Sequence, residues 1–188
     1  MSEKNNLAIL DLDGTLFDTR EVNYAAYREA LKPFGCSLDA EFFKTRCNGR
    51  HYTEFLPEIM KTDDRAVFEE VHRRKKGAYA GHLGKARENR HLFEILMHMR
   101  DSYYLAVVTT ASRRNTEEIL RHFHYDTLFD LLLTQEDITR VKPDPQGFLM
   151  AMAHFGVDAA HTVIFEDSDV GLQAAKAAGA SVFGVMQI

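Results

Sequence analysis

The sequence is short of several things, and each shortage closes off a class of function. Of its 188 residues only two are cysteines, Cys36 and Cys47, and their spacing suits no metal site or disulfide scaffold. Two free thiols in a reducing cytosol are expected. An excess of basic residues is missing: 23 Lys and Arg stand against 28 Asp and Glu, a net charge of −5. That leaves no electrostatic footprint for nucleic acid. No apolar run approaches the ~18 residues of a membrane span, and the opening MSEKNN has no signal-peptide core. A cytoplasmic monomer that avoids membranes is the expectation. There is no internal repeat and no low-complexity tract. Nine histidines are present, but neither His122 with His124 nor His91 with His98 has a third partner at zinc-ligand spacing. Met97, Met99, Met150 and Met152 sit on helix stripes and read as core filler.

What the chain has is a core: 45% of its residues are hydrophobic, enough at this length for one full domain and a small insert. Apolar runs at 7–10 (LAIL), 104–108 (YLAVV), 131–133 (LLL), 162–165 (TVIF) and 181–185 (SVFGV) read as strands. None alternates with polar residues, the pattern of parallel strands covered on both faces. Helical patterns lie between them. Leu92, Ile95, Leu96 and Met99 form one stripe. Asn115 with Glu118 resembles a capping box opening a helix that runs to about Phe123. Another helix follows Pro145 and stops near Gly156, and a last one ends on Gly179, a natural C′ residue. This alternation predicts a doubly wound, Rossmann-like α/β fold with a parallel sheet. Between about 18 and 85 it breaks into helices alone, at about 21–32, 39–46, 52–60 and 63–80. The expected division is therefore 1–17 with 86–188, and 18–85 as a helical insert after the first strand. The charged stretch DDRAVFEEVHRRKK reads as a solvated helix face.

In open α/β sheets ligands bind beyond the carboxyl ends of the strands. After the first run come Asp11 and Asp13, with Gly14 and Thr15. After the second come Thr109, Thr110 and Ser112; after the third, Lys142 in RVKPDP; after the fourth, Glu166, Asp167, Ser168 and Asp169. Each has an ordinary explanation alone. Asp-x-Asp is commonly a turn, and Glu-Asp-Ser suits a helix N-terminus. The signal is their order, each at a strand end. Two carboxylates ~4 Å apart repel by roughly 4 kcal/mol at an effective dielectric of ~20. Several acids around one lysine must take up protons or share a cation. A hard divalent ion held by carboxylates, water and a substrate phosphate is the Mg2+ pattern. One aspartate could then attack phosphorus, a second acid move the proton, and Lys142 and Thr109 steady the phosphoryl oxygens.

Taken together, DLDGT, LAVVTT, VKPDP and IFEDS, the last continued by DVGLQAAKAAGA, resemble the four motifs of the haloacid dehalogenase-like hydrolase superfamily over nearly the whole chain. The likeness is greatest to its beta-phosphoglucomutase and phosphoglycolate-phosphatase-like group. The resemblance implies a sheet order of 5-4-1-2-3 and a small helical cap inserted after strand 1. It implies Asp11 as nucleophile and Mg2+ ligand, and Asp13 as general acid/base with its carbonyl on the metal. Thr109, Thr110 and Lys142 would bind the phosphoryl group, and Asp167 and Glu166 would complete the metal site. Some branches have a second Asp where Gly171 stands, so Asp169 is expected to be a helix-start acid. Where the family often has Pro-Gly before the helix at 91, this chain has RENR. The expected activity is hydrolysis of small phosphorylated metabolites through an aspartyl-phosphate, with a phosphosugar mutase as alternative. The cap loop TRCNGRHY, with Arg46, Gly49, Arg50 and His51, is the candidate for holding a second anionic group. Carbon–phosphorus hydrolysis through Lys44 or Lys61 has no supporting sequence context. A catalytically dead binding module is disfavoured by the intact motifs.

Overall fold

The computed structural model describes residues 4–47 and 50–186. Five strands form one sheet: β1 (Asn6–Leu10), β2 (Tyr103–Val108), β3 (Leu131–Leu133), β4 (Thr162–Glu166) and β5 (Ser181–Gly184). All neighbouring pairs are parallel. In these labels the order is β5-β4-β1-β2-β3, as expected. Leu7 and Ile9 of β1 pack with Ala106, Val108 and Ile164 against Phe148, Ala151 and Ala174. The alternate residues Ala8, Leu10, Leu105 and Val107 are equally buried. Both faces are thus covered, which is why the strands carry unbroken apolar runs.

The chain divides into two compact units, 1–18 with 87–188, and 19–86. The first contains the sheet. Its helices fall where periodicity placed them, with three differences of detail. The helix Arg113–His122 is capped by the Ser112 side chain, which accepts from Asn115 N–H at 3.3 Å. Asn115 therefore lies inside the first turn; the Ser two residues after Thr110 reached the orphan amides first. In the helix Arg90–Met99 the buried residues are Leu92, Phe93 and Leu96. Ile95 is 51% exposed and Met97 58%, so they are surface residues rather than core. Outside the sheet, Phe17–Asp18 and Arg87–Glu88 form a short antiparallel pair that no apolar pattern announced.

Among its described residues the second unit has helices joined by loops and no strand. Its main helices are Arg20–Leu31, Tyr52–Met60 and Arg65–Ala78. The expected helix at 39–46 is instead three residues, Ala40–Phe42, running into a π-helical stretch, Phe43–Cys47. Its core gathers Tyr27, Leu31, Phe43, Phe55, Leu56 and Phe68. Tyr27 meets Phe55 edge-on at 5.2 Å.

Candidate active site

Sheet register builds the site. Leu10 is level with Val107 and with Phe165, so Asp11 and Glu166 emerge side by side at the carboxyl edge. Asp11 N–H is anchored on Phe165 C=O at 3.1 Å, and Thr109 N–H on Leu133 C=O at 3.0 Å. Lys142 arrives from the loop after β3. Its Nζ lies 2.5 Å from Asp11 Oδ1 and 2.6 Å from Glu166 Oε2, with only 9% of its side chain exposed. Glu166 is fully buried. Its other oxygen accepts from Asp167 N–H (3.1 Å), Ser168 N–H (3.0 Å) and Ser168 Oγ (2.9 Å). Ser168 in turn caps the helix Asp169–Ala177, and Asp169 is an exposed acid in its first turn.

Two acids share one lysine here, and the electrostatics show it. Burial pushes the Asp11 carboxyl well above the usual carboxylate range; Lys142 opposes this, while Glu166 and Asp13 add to it. Burial alone would lower Lys142, but the charges of Asp11 and Glu166 outweigh it and raise its pKa. Oxygens of Asp11, Glu166 and Asp167 lie within 4.8 Å of one another. Three carboxylates beside one ammonium leave about two negative charges uncompensated, and oxygen-only donors are what a hard divalent cation takes. The donor set therefore fits Mg2+.

Asp167 sits on the loop that follows Asp13. Thr15 Oγ1 donates to Asp167 Oδ1 at 2.8 Å. A side chain at Gly14, whose φ is +97°, would come 2.2 Å from Asp167 Oδ2. Gly171 is equally constrained, since a Cβ there would meet the Glu166 carboxylate at 2.0 Å. Thr109 is buried and its hydroxyl accepts from Ala111 N–H at 3.0 Å, whereas Thr110 is exposed. A small, largely apolar concavity lined by Val108, Thr109, Ile138, Lys142 and Phe148 reaches the cluster only through Lys142.

The structure thus brings Asp11, Glu166, Asp167 and Lys142 together, with Asp13 near enough to act on Asp11. Thr109 and Thr110 follow β2 at the same edge, while Arg46, Arg50 and His51 belong to the helical unit and bond mainly to neighbours there. Arg50 pairs with Glu54 at 3.1 Å and donates to Arg46 C=O at 2.9 Å. Arg46 pairs loosely with Glu58 at 3.5 Å. His51 Nδ1 is 2.7 Å from Thr53 Oγ1 and its ring leans on Tyr52. Gly49 lies outside the described residues. Sequence reasoning gave little weight to Thr15 and saw no use for Gly171. The available signal was a glycine in the first turn of a helix, where propensity disfavours it and close packing excuses it.

Known proteins are similar to this chain. A phosphorylated carbohydrates phosphatase of Thermotoga maritima is 30% identical over 184 residues, spanning 95% of this chain and 84% of that one. The fructose-1-phosphate phosphatase YqaB of Escherichia coli is 28% identical over 180 residues, spanning 95% of each. Among solved structures, CbbY from Rhodobacter sphaeroides in complex with phosphate superposes with a TM-score of 0.84 at 24% identity. That match covers 97% of this chain and 87% of the other, and speaks for the fold. The sequence profile of the haloacid dehalogenase-like hydrolase family matches residues 8–185, a span that runs from β1 through β5 and takes in every site residue described above. With its strand order, its four strand-end motifs and that match in agreement, the chain belongs to the haloacid dehalogenase-like hydrolase family.

Proposed function

We propose that the protein is a Mg2+-dependent phosphatase of small phosphorylated metabolites, sugar phosphates foremost. The observation that carries this reading is the buried lysine shared by Asp11 and Glu166 next to Asp167. The phosphatase names of the two relatives support it. Asp11, Glu166 and Asp167, with the main-chain carbonyl of Asp13, would hold Mg2+. When bound, that ion supplies charge neutralisation for the phosphoryl group.

The remaining chemistry belongs to the chain. An Asp11 oxygen attacks phosphorus, the bond to the leaving oxygen breaks, and Asp13 gives that oxygen its proton. Water then attacks the aspartyl-phosphate, Asp13 takes up the water proton, and the Asp11–phosphorus bond breaks to release phosphate. Thr109, Thr110 and Lys142 hold the phosphoryl oxygens throughout. The helical unit acts as the cap, which excludes water and selects the substrate.

The test is phosphate release from a panel of sugar phosphates, nucleotides and pyrophosphate, with and without Mg2+, beside Asp11→Asn. Mg2+-dependent release that disappears in the variant is expected. Silence across the panel defeats the reading. Conversion of glucose 1-phosphate to the 6-phosphate with a bisphosphate primer, without net release, would make the protein a mutase using the same aspartate.

A further inference from the structure

The stretch RENR, leading into the helix Arg90–Met99, holds a residue that the structure puts to use. Asn89 sits where the chain re-enters the sheet-bearing unit, directly after the antiparallel pair Phe17–Asp18 and Arg87–Glu88. Its backbone N–H donates to Leu16 C=O at 2.8 Å, and its side-chain Nδ2 donates to Thr15 C=O at 3.1 Å. Its Oδ1 accepts from Leu92 N–H at 3.3 Å and so caps the helix Arg90–Met99. Capping explains the oxygen. It does not explain the nitrogen, which clamps the loop of the first motif.

That loop is the seat of Asp167. Oδ1 takes its hydrogen bond from Thr15, and Oδ2 rests in the room left by the missing Cβ of Gly14. Thr15 and Leu16 are fully buried, so the loop has no slack in which to absorb a lost tie. We propose that Asn89 is a positioning residue that fixes the Asp167 carboxylate for metal binding by way of Thr15. The inference rests on the metal site of the proposed function. It adds that this site is braced from the strand returning from the helical unit.

Asn89→Asp separates the two roles of the side chain. Aspartate caps a helix as well as asparagine does, and its charge suits a helix N-terminus. It cannot donate to Thr15 C=O, and a carboxylate oxygen there repels the carbonyl. Thr15→Val removes the other link while keeping the side-chain shape. The experiment is calorimetric titration of the full-length protein with Mg2+ alone, beside thermal unfolding and phosphate release. The expected result is Mg2+ binding about five-fold weaker in Asn89→Asp, the scale of one lost hydrogen bond, with the unfolding midpoint lowered by only about 2–4 °C. Thr15→Val should weaken binding similarly, and the double variant should be no weaker than the worse single one. Wild-type Mg2+ affinity in Asn89→Asp overturns the proposal. So do strictly additive losses in the double variant, because the route through Thr15 is then wrong. If the wild type binds Mg2+ but releases no phosphate from any substrate, the tie stands and the phosphatase reading falls. If the wild type binds no Mg2+, both fall.

Discussion

The two units treat their charges in opposite ways. In the sheet-bearing unit, Asp11, Glu166 and Lys142 are buried and hold one another at 2.5 and 2.6 Å. In the helical unit, Arg46 and Arg50 stand 57% and 42% exposed, paired with glutamates of the neighbouring helix. Exposed pairs of that kind contribute ~0.2–1 kcal/mol at best, whereas unpairing a buried charge costs about 3–5 kcal/mol. The difference teaches where each part is able to change. Chemistry is locked into strand ends, where any substitution disturbs folding and catalysis together. Arg46 and Arg50, exposed and loosely held, carry no such constraint.

The largest effect should follow from breaking the buried cluster. Lys142→Ala leaves Asp11 and Glu166 without their shared cation, so a loss of about 3–5 kcal/mol in urea unfolding is expected, with phosphate release abolished. Gly171→Ala comes next. Its methyl must displace the Glu166 carboxylate, at a cost of about 1–3 kcal/mol and with activity at least about ten-fold lower as Lys142 loses its second partner. A fully active Gly171→Ala would show that the Glu166 contact is dispensable.

A third test moves to the helical unit. His72 stacks on Tyr52 at 4.1 Å, lies 3.4 Å from the Tyr27 hydroxyl, and has its Nε2 buried without a partner. Burial first, then the charges of Lys76, Lys75 and His51, hold its pKa down to about 3 from 6.5. The unfolded chain takes up this proton below pH 6.5 and the folded one does not. Stability is therefore fully present above pH 6.5 and falls as pH drops toward 3, by at most ~1.4 kcal/mol per pH unit. His72→Phe should flatten that part of the unfolding profile, and an unchanged slope would exonerate the residue.

Smaller effects mark the margins of the comparison. Gln146 Oε1 accepts from Thr139 N–H (3.0 Å), Thr139 Oγ1 (3.2 Å) and Arg140 N–H (2.6 Å), closing the loop that carries Lys142. Gln146→Leu should cost ~1 kcal/mol and lower kcat, and Gln146→Glu, which accepts the same three donors, should restore both. Last, Arg50→Ala should leave stability within ~0.5 kcal/mol while raising KM for the preferred substrate. Unchanged kinetics on every substrate would remove this loop from the substrate-binding account.

How much of this was legible in the sequence follows from what periodicity can carry. Asp11, Lys142, Glu166 and Asp167 could be found because each follows an apolar run or a proline-marked loop, and parallel strands bring such ends together. The supporting contacts could not. Thr15 on Asp167, Gln146 around the lysine loop and Asn89 on Thr15 link positions set by side-chain reach, which leaves no repeat in the sequence. Ser112 and Asn115 compete for one helix start, and propensity alone ranks them equally. The π-helical stretch Phe43–Cys47 follows from how Phe43 and Cys47 both reach the same core, a tertiary demand that no local pattern states.

The short ribbon of Phe17–Asp18 with Arg87–Glu88 has one more consequence. The chain leaves the sheet-bearing unit and comes back to it at adjacent, paired residues. Everything between is a closed excursion whose two ends are already spliced. Such a segment can be lengthened, shortened or exchanged whole without rerouting a single strand. A lineage, or an engineer, can therefore treat residues 19–86 as a cassette and exchange it while every strand end stays untouched.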